Sequence, residues 1–177
     1  AETPGSGCPE FQLDNGVSDT RDFPRGAGFC QPPVVIVVKD QRFDGLIITG
    51  APVEQMPFEQ VEYWPELCRI MEWSRTHVHS TFHICWGAQA GLYYHYGIKK
   101  HLLPEKLSGI YTHKVLVPHH KLMRGFDDTF TIPHSRHTGI DEEALKRCRG
   151  LEVLAVSEIA GSCVICSRNG RQVFVTG

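Results

Sequence analysis

The chain has 177 residues, 41% of them hydrophobic and 21% charged, with a formal net charge of −2, the composition of one soluble globular domain with its own core. Lysine and arginine are scattered rather than clustered, which argues against a nucleic-acid partner. No apolar run approaches the roughly 18–20 residues that span a bilayer, which argues against a membrane one.

The opening Ala1-Glu2-Thr3-Pro4 lacks the basic and then apolar pattern of a signal peptide, so a cytoplasmic location is expected. Residues 1–31 are rich in Gly, Pro, Asp and Ser, show no periodicity, and read as loop or disorder ahead of a domain over 32–177. Pro33 to Val38 is a β-branched run that reads as a buried strand, and Phe43 to Thr49 as a second, ending in the turn Gly50-Ala51-Pro52. From Pro57 to Thr76, apolar residues recur at three and four, which predicts a helix with Pro65 as a break or a first-turn residue.

Val78 to Ile84 reads as a strand and Gly87 to Tyr96 as a helix. Leu116 to Arg124 and Asp128 to Pro133 read as strand and loop. Asp141 to Arg149 reads as a short helix with acidic residues at its start. Leu151 to Ser157, Ser162 to Ser167 and Gln172 to Thr176 form a meander, with Asn169-Gly170 as the tight turn between the last two. Strands alternating with helices, followed by an antiparallel tail, predict a layered α/β fold.

The stretch from Thr81 to Gly91 carries the chemistry. A β run ends at Cys85, and the small residues Gly87 and Ala88 open a helix, the turn that lifts a nucleophile out of the backbone. A helix N-terminus favours thiolate, and the Trp86 amide is placed to donate to a developing oxyanion. Ala51, in the turn after the neighbouring strand, is the expected second amide donor, because ligands of open α/β sheets sit beyond the carboxyl ends of strands. The competing reading of Cys85 is an ordinary buried thiol.

Seven cysteines at irregular spacing read as mostly reduced thiols. Cys163 and Cys166, three apart on a strand, point to opposite faces and do not make a metal pair. His77, His79 and His83 form a loose group on a predicted strand, and no metal site is expected.

The blocks FDGLIITGAP, YWPEL, CWGAQAGLYYHYGI, EKLSGIY, RGFDD, PHSR and FVTG, over residues 42–177, resemble the homoserine O-acyltransferases, relatives of the class I glutamine amidotransferases. The resemblance implies a mostly parallel, flavodoxin-like sheet flanked by helices. It implies ping-pong transfer through a Cys85 thioester, with acetyl-CoA as co-substrate and no permanently bound cofactor. It implies small-molecule partners, an acyl-CoA and homoserine or serine, and is compatible with a homodimer.

By the same resemblance Lys106 and Ser135 are substrate-binding positions. Glu54 stands where glutamate accompanies acetyl-CoA and glycine succinyl-CoA, and its charge would repel a succinyl carboxylate. The family's general base follows the block FVTG in a His-Pro-Glu motif, so this sequence is expected to be a piece of a larger enzyme. A substitute base among His113, His119, His120 and His134 is not expected. The alternatives are a succinyl donor, a serine acceptor, an amidotransferase-like hydrolase, or an inactive fragment.

Overall fold

Leu46, Ile47 and Ile48 drive strand β1, Phe43–Ile48, and Val78, Thr81 and His83 are buried in β2, Val78–Ile84, parallel to it. The structure, a computed structural model, describes Val38 and residues 40–177. Residues 1–31 and all but the last residue of the expected strand from Pro33 to Val38 lie outside the described residues. Between β1 and β2 runs helix α1, Trp64–His77, which buries Leu67, Met71 and Ser74 at three- and four-residue spacing. Pro65 sits in its first turn, where a missing N–H breaks no helical bond. The helix therefore begins later than the apolar spacing predicts, and Phe58–Gln60 forms a separate 3-10 turn.

Helix α2, Trp86–Tyr96, follows β2 directly and is closed by Gly97, whose φ of 69° suits glycine and whose amide reaches the Leu92 and Tyr93 carbonyls. Every residue from Trp86 to Leu92 is buried. One apolar cluster packs Ala90 and Trp86 against Ile48, Phe58 and Met71. Another packs Ala88 and Leu92 against Leu151, Ile165 and Phe174. The helix is thus held between two cores, which explains its lack of a polar face.

Strands β3, Lys100–Val115, and β4, Thr129–Ile140, form a long antiparallel pair. Here the expected strand at Leu116 to Arg124 is corrected: that segment is loop with a 3-10 turn at Lys121–Met123, and the loop expected near Asp128 is the start of β4. Most of β3 is exposed on both faces and contains Pro104 and Gly109, so it carries no hydrophobic alternation to read. Helix α3, Glu142–Arg147, is capped by Asp141, whose side chain accepts from the Ala144 amide. Strands β5, Leu151–Ser157, β6, Gly161–Ser167, and β7, Gln172–Val175, are the expected meander.

Among the described residues, the seven strands form one sheet in the order β1-β2-β7-β6-β5-β3-β4. Only the β1–β2 and β2–β7 pairings are parallel, and the other four are antiparallel. The expected mostly parallel sheet is therefore a mixed one. Parallel pairing needs a long crossover, whereas the short turns of the β5–β7 meander dictate antiparallel neighbours. Among the described residues no helix is long and apolar enough to cross a membrane.

Candidate active site

Cys85 stands between β2 and α2 at φ 55° and ψ −123°, the one non-glycine residue with positive φ among those described. That conformation costs about 1–3 kcal/mol and persists only where the surroundings impose it. The Cys85 amide donates to the Val175 carbonyl of β7 at 2.7 Å, and its carbonyl accepts from Ala88 and Gln89 at 3.0 and 3.2 Å. The elbow is therefore clamped by a strand on one side and a helix start on the other.

Glycines make the elbow sterically feasible. A Cβ on Gly87 would lie 2.5 Å from the Ile48 carbonyl oxygen and 2.7 Å from that of Thr49. A Cβ on Gly50 would sit 3.1 Å from Cys85 Cβ and 3.4 Å from its Sγ, with the Trp86 nitrogen 3.7 Å away. The turn after β1 thus passes beside the half-buried thiol and the Trp86 amide, and Gly50 is the residue against the sulfur. Ala51 is half-buried and packs with the apolar cluster of Phe58 and Val61. Burial pushes the Cys68 thiol up to about 12 and raises those of Cys163 and Cys166, holding those three sulfurs neutral.

Glu54 is tied to both halves of the sheet. Its Oε1 accepts from the His137 amide at 2.9 Å, and its Oε2 lies 3.3 Å from the Thr138 hydroxyl. That hydroxyl is also 2.9 Å from Gln89 Oε1, and Gln89 Nε2 donates to the Thr138 carbonyl at 3.3 Å. Gln89 and Thr138 are each 2% exposed, and Gln89 stands in the first turn of the elbow helix. Lys100 Nζ donates to the carbonyls of Glu54 and Met56 and lies 4.7 Å from the centre of the Phe58 ring. A cavity of about 350 Å³ opens here, lined by Glu54, Met56, Phe58, Tyr93, Lys100 and Thr138, in the size range of small-molecule sites.

Arg136 of β4 is the buried cation of this region. Its guanidinium donates to the Thr138 carbonyl at 2.5 Å, the Ala160 carbonyl at 2.6 Å and His134 Nδ1 at 3.3 Å. It lies within electrostatic reach of the Cys163 and Cys85 thiols and of the Glu142 and Glu54 carboxylates. Burial, reinforced by Arg136 and His113, pushes His134 down to about 4. His134 Nε2 is 3.2 Å from His113 Nε2, and His113 Nδ1 is 2.9 Å from the Tyr111 carbonyl.

His113, His134 and Cys163 place three potential ligand atoms within 4.8 Å of one another, a cluster the sequence pattern does not disclose. Arg136 donating into His134 Nδ1 puts that ring's proton on Nε2, aimed at His113, which itself donates to Tyr111. The neutral hydrogen-bonded chain satisfies every ring nitrogen, and a cation would have to displace its central proton beside a guanidinium. Cys166 points away from this cluster, into the one holding Val115, Met123 and Leu154.

The remaining residues singled out from sequence are dispersed. Lys106 and Ser135 are both exposed, on the paired strands β3 and β4, and among the described residues neither is hydrogen-bonded to Cys85 or Glu54. His79 is exposed and His83 fully buried, stacked on Phe174 at 4.7 Å, so the two do not meet. Burial, and to a lesser degree His95, pushes His83 down to about 3. His120 caps the 3-10 turn at Lys121–Met123. Sequence reasoning gives no role to Arg136, Thr138 or Gln89, although PHSR and GAQAG contain or adjoin them, because their burial and pairing exist only in the folded chain.

The mixed α/β sheet with a cysteine at a strand-to-helix elbow is similar in fold to solved glutamine amidotransferase-like structures. Among solved structures, a putative GMP synthase protein of Thermoplasma acidophilum matches with a TM-score of 0.60 at 16% identity, covering 75% of this chain and 61% of that one. A glutamine amidotransferase of Thermotoga maritima matches with a TM-score of 0.56 at 16% identity, covering 73% and 54%. These likenesses concern the fold alone.

Residues 35–177 match the homoserine O-succinyltransferase family model, and the chain belongs to that family. It is 59% identical over 140 residues to a homoserine O-acetyltransferase of Geobacillus sp. (strain WCH70) and 55% identical over 140 residues to that of Bacillus subtilis (strain 168). Each alignment covers 79% of this chain and 46% of the relative, so the chain spans about half the length of the curated relatives it matches.

Proposed function

We propose that this chain carries the nucleophile of a homoserine O-acetyltransferase, acting at the homoserine step of methionine biosynthesis. The observation that carries the reading is Cys85 held at φ 55° on the elbow, with Gly50 and the Trp86 amide beside its sulfur. Such a sulfur, as thiolate, attacks the carbonyl carbon of acetyl-CoA. A new carbon–sulfur bond forms, the bond to CoA breaks, and CoA leaves as its thiolate. The acetyl group then passes from Cys85 to the hydroxyl oxygen of homoserine, whose proton is taken up by a base, and the thiolate is regenerated.

The Trp86 amide and an amide of the Gly50-Ala51 turn serve the oxyanion of each tetrahedral intermediate. Lys106 meets the acceptor's carboxylate as a point charge, and Ser135 on the adjoining strand bears on acceptor choice. Serine as acceptor differs by one methylene, worth only about 1–3 kcal/mol of discrimination. For the donor, the family description names succinyl and the named relatives acetyl. Glu54, a carboxylate at the rim of the cavity, supports acetyl, since it opposes a second carboxylate.

Mass spectrometry after incubation with acetyl-CoA and succinyl-CoA in equal amounts tests the reading. An acetyl adduct on the Cys85 peptide is expected. A succinyl adduct in its place overturns the donor assignment, and absence of any adduct on Cys85 overturns the transferase.

A further inference from the structure

We infer that Lys99 and His101, where helix α2 gives way to strand β3, hold the phosphate-bearing nucleotide end of the acyl-CoA. The inference rests on the acyl-CoA reading above and deepens it by placing the half of the donor that does not react.

Two cavities, each of about 350 Å³, meet at this point. The first, already described, includes Lys99, Lys100 and His101 in its lining, and the second, lined also by Ile140, Asp141 and Glu142, shares those three basic residues. The triplet is therefore a ridge with open space on either side. Lys100 is held in the fold, its amine on the Glu54 and Met56 carbonyls over the Phe58 ring. Lys99 and His101 are exposed, and among the described residues their side chains have no hydrogen-bond partner. The His101 ring lies across Gly139 of β4, where a Cβ would come within 3.1 Å of it, so the glycine leaves room for the ring.

The spacing from the nucleophile suits the ligand. Cys85 stands at the start of α2, and Lys99 follows three residues after its last, Tyr96. The 11 residues of the helix, at about 1.5 Å each, put about 16 Å between its ends. In coenzyme A about 13 bonds separate the sulfur from the first phosphorus, and an extended chain advancing about 1.2 Å per bond covers about 16 Å. Gln89 and Tyr93 lie one turn apart on the same face of α2, Gln89 holding Thr138 of the cavity wall and Tyr93 lining the cavity itself. The first cavity thus follows the helix from the elbow side toward the basic ridge, the course of an extended pantetheine arm.

The acidic residues around the ridge have partners of their own. Glu59 accepts from the Tyr93 hydroxyl, Glu142 from the Ser162 amide and hydroxyl, and Asp141 from the Ala144 amide, while Glu143 pairs with Lys146. Phosphate is recognised by point charges and N–H donors, which a lysine and an imidazole supply. A lysine after a helix C-terminus can also serve only to offset the helix dipole, a role that needs no ligand.

The test compares rates of Cys85 acetylation in the full chain, read by mass spectrometry at limiting donor, for acetyl-CoA and for S-acetylpantetheine, which carries the same thioester without phosphates or nucleotide. In Lys99→Ala combined with His101→Ala, the rate with acetyl-CoA is expected to fall about tenfold or more, and that with S-acetylpantetheine to stay within about twofold. Lys114→Ala, which removes a cation from the far end of β3, is expected to change neither. An equal fall with both donors overturns the inference. So does an acetyl-CoA rate that the double variant leaves unchanged, the result for a lysine serving the helix dipole alone, or one that Lys114→Ala lowers as much.

If the unsubstituted chain takes an acetyl group from neither donor, the transferase reading falls, and the nucleotide site is decided by binding alone. Adenosine 3′,5′-bisphosphate, the nucleotide of the coenzyme without its arm, should then bind saturably in calorimetry, and at least about tenfold more weakly to the double variant. Absence of saturable binding, or binding that the double variant leaves unchanged, contradicts the inference.

Discussion

The two ends of the sheet are built differently and contribute different things. At one end β1, β2 and β7 are parallel, short and covered by α1 and α2, and they fix the backbone of Cys85 by steric crowding around glycines. At the other end β3 to β6 are antiparallel, partly exposed and joined to the elbow through side chains, with Arg136, His137 and Thr138 reaching toward Glu54 and Gln89. The nucleophile's geometry thus comes from one half and its polar surroundings from the other. Crowding by backbone atoms is intolerant of change, whereas side-chain networks can yield, and this difference orders the expected effects.

Acid should have the largest effect, and it draws on both halves. His83 and His95 on the parallel side are pushed down to about 3 and about 4 by burial, and His134 on the other side to about 4. Each stays neutral in the folded chain while its unfolded counterpart takes a proton below pH about 6.5, so the unfolded state binds more protons there. Stability is therefore full above that pH and falls as pH drops toward the folded values, by up to about 1.4 kcal/mol per pH unit for each such histidine. Urea midpoints measured from pH 7 to pH 5 should decline steadily. His83, whose ring nitrogens have no hydrogen-bond partner among the described residues, can be replaced by leucine to flatten that decline, and an unchanged slope would assign the effect to His95 and His134.

Next come the glycines, which separate the halves directly. Gly87→Ala would drive a methyl to 2.5 Å from a backbone oxygen of β1, and a loss of roughly 3 kcal/mol in denaturant unfolding is expected. Gly139→Ala in β4 meets the His101 ring at 3.1 Å, an exposed side chain that can turn aside, so a loss of less than about 1 kcal/mol is expected. Equal costs at the two positions would break the contrast between backbone crowding and side-chain accommodation.

The smallest effect runs in the opposite direction. Cys85→Gly relieves the positive φ, against some loss of chain entropy on folding, and should raise stability by about 1 kcal/mol while abolishing any covalent adduct. A destabilised glycine variant would mean that the elbow holds no strain.

The same contrast explains what was legible in the sequence. β2, Cys85 and α2 were readable because a strand, a nucleophile and a glycine-rich helix start are consecutive, and the meander of β5 to β7 was readable from its apolar runs and Asn169-Gly170. β3 was not, since a strand exposed on both faces has no period of two to detect, and β4 was not, since the inward positions it buries after Ile132 are the polar His134, Arg136 and Thr138. The parallel character of the sheet was overestimated because the insertion of β7 between β2 and β6 is a long-range pairing. Arg136 lies one residue after Ser135 in the block PHSR, yet its burial against Ala160 depends on a residue far away in the chain. The turn after β1 was recognised, but the close approach of Gly50 to Cys85 depends on the packing of two loops, which composition does not encode.

The central claim is that the elbow sets one sulfur apart from the others, and competitive alkylation tests it most directly. The protein is treated with limiting iodoacetamide near pH 7.5, with and without acetyl-CoA, and each cysteine peptide is quantified. Cys85 should react before Cys68, Cys148, Cys163 and Cys166, and acetyl-CoA should protect it. Preferential labelling of one of those four, or labelling of Cys85 that acetyl-CoA leaves unchanged, would contradict the account.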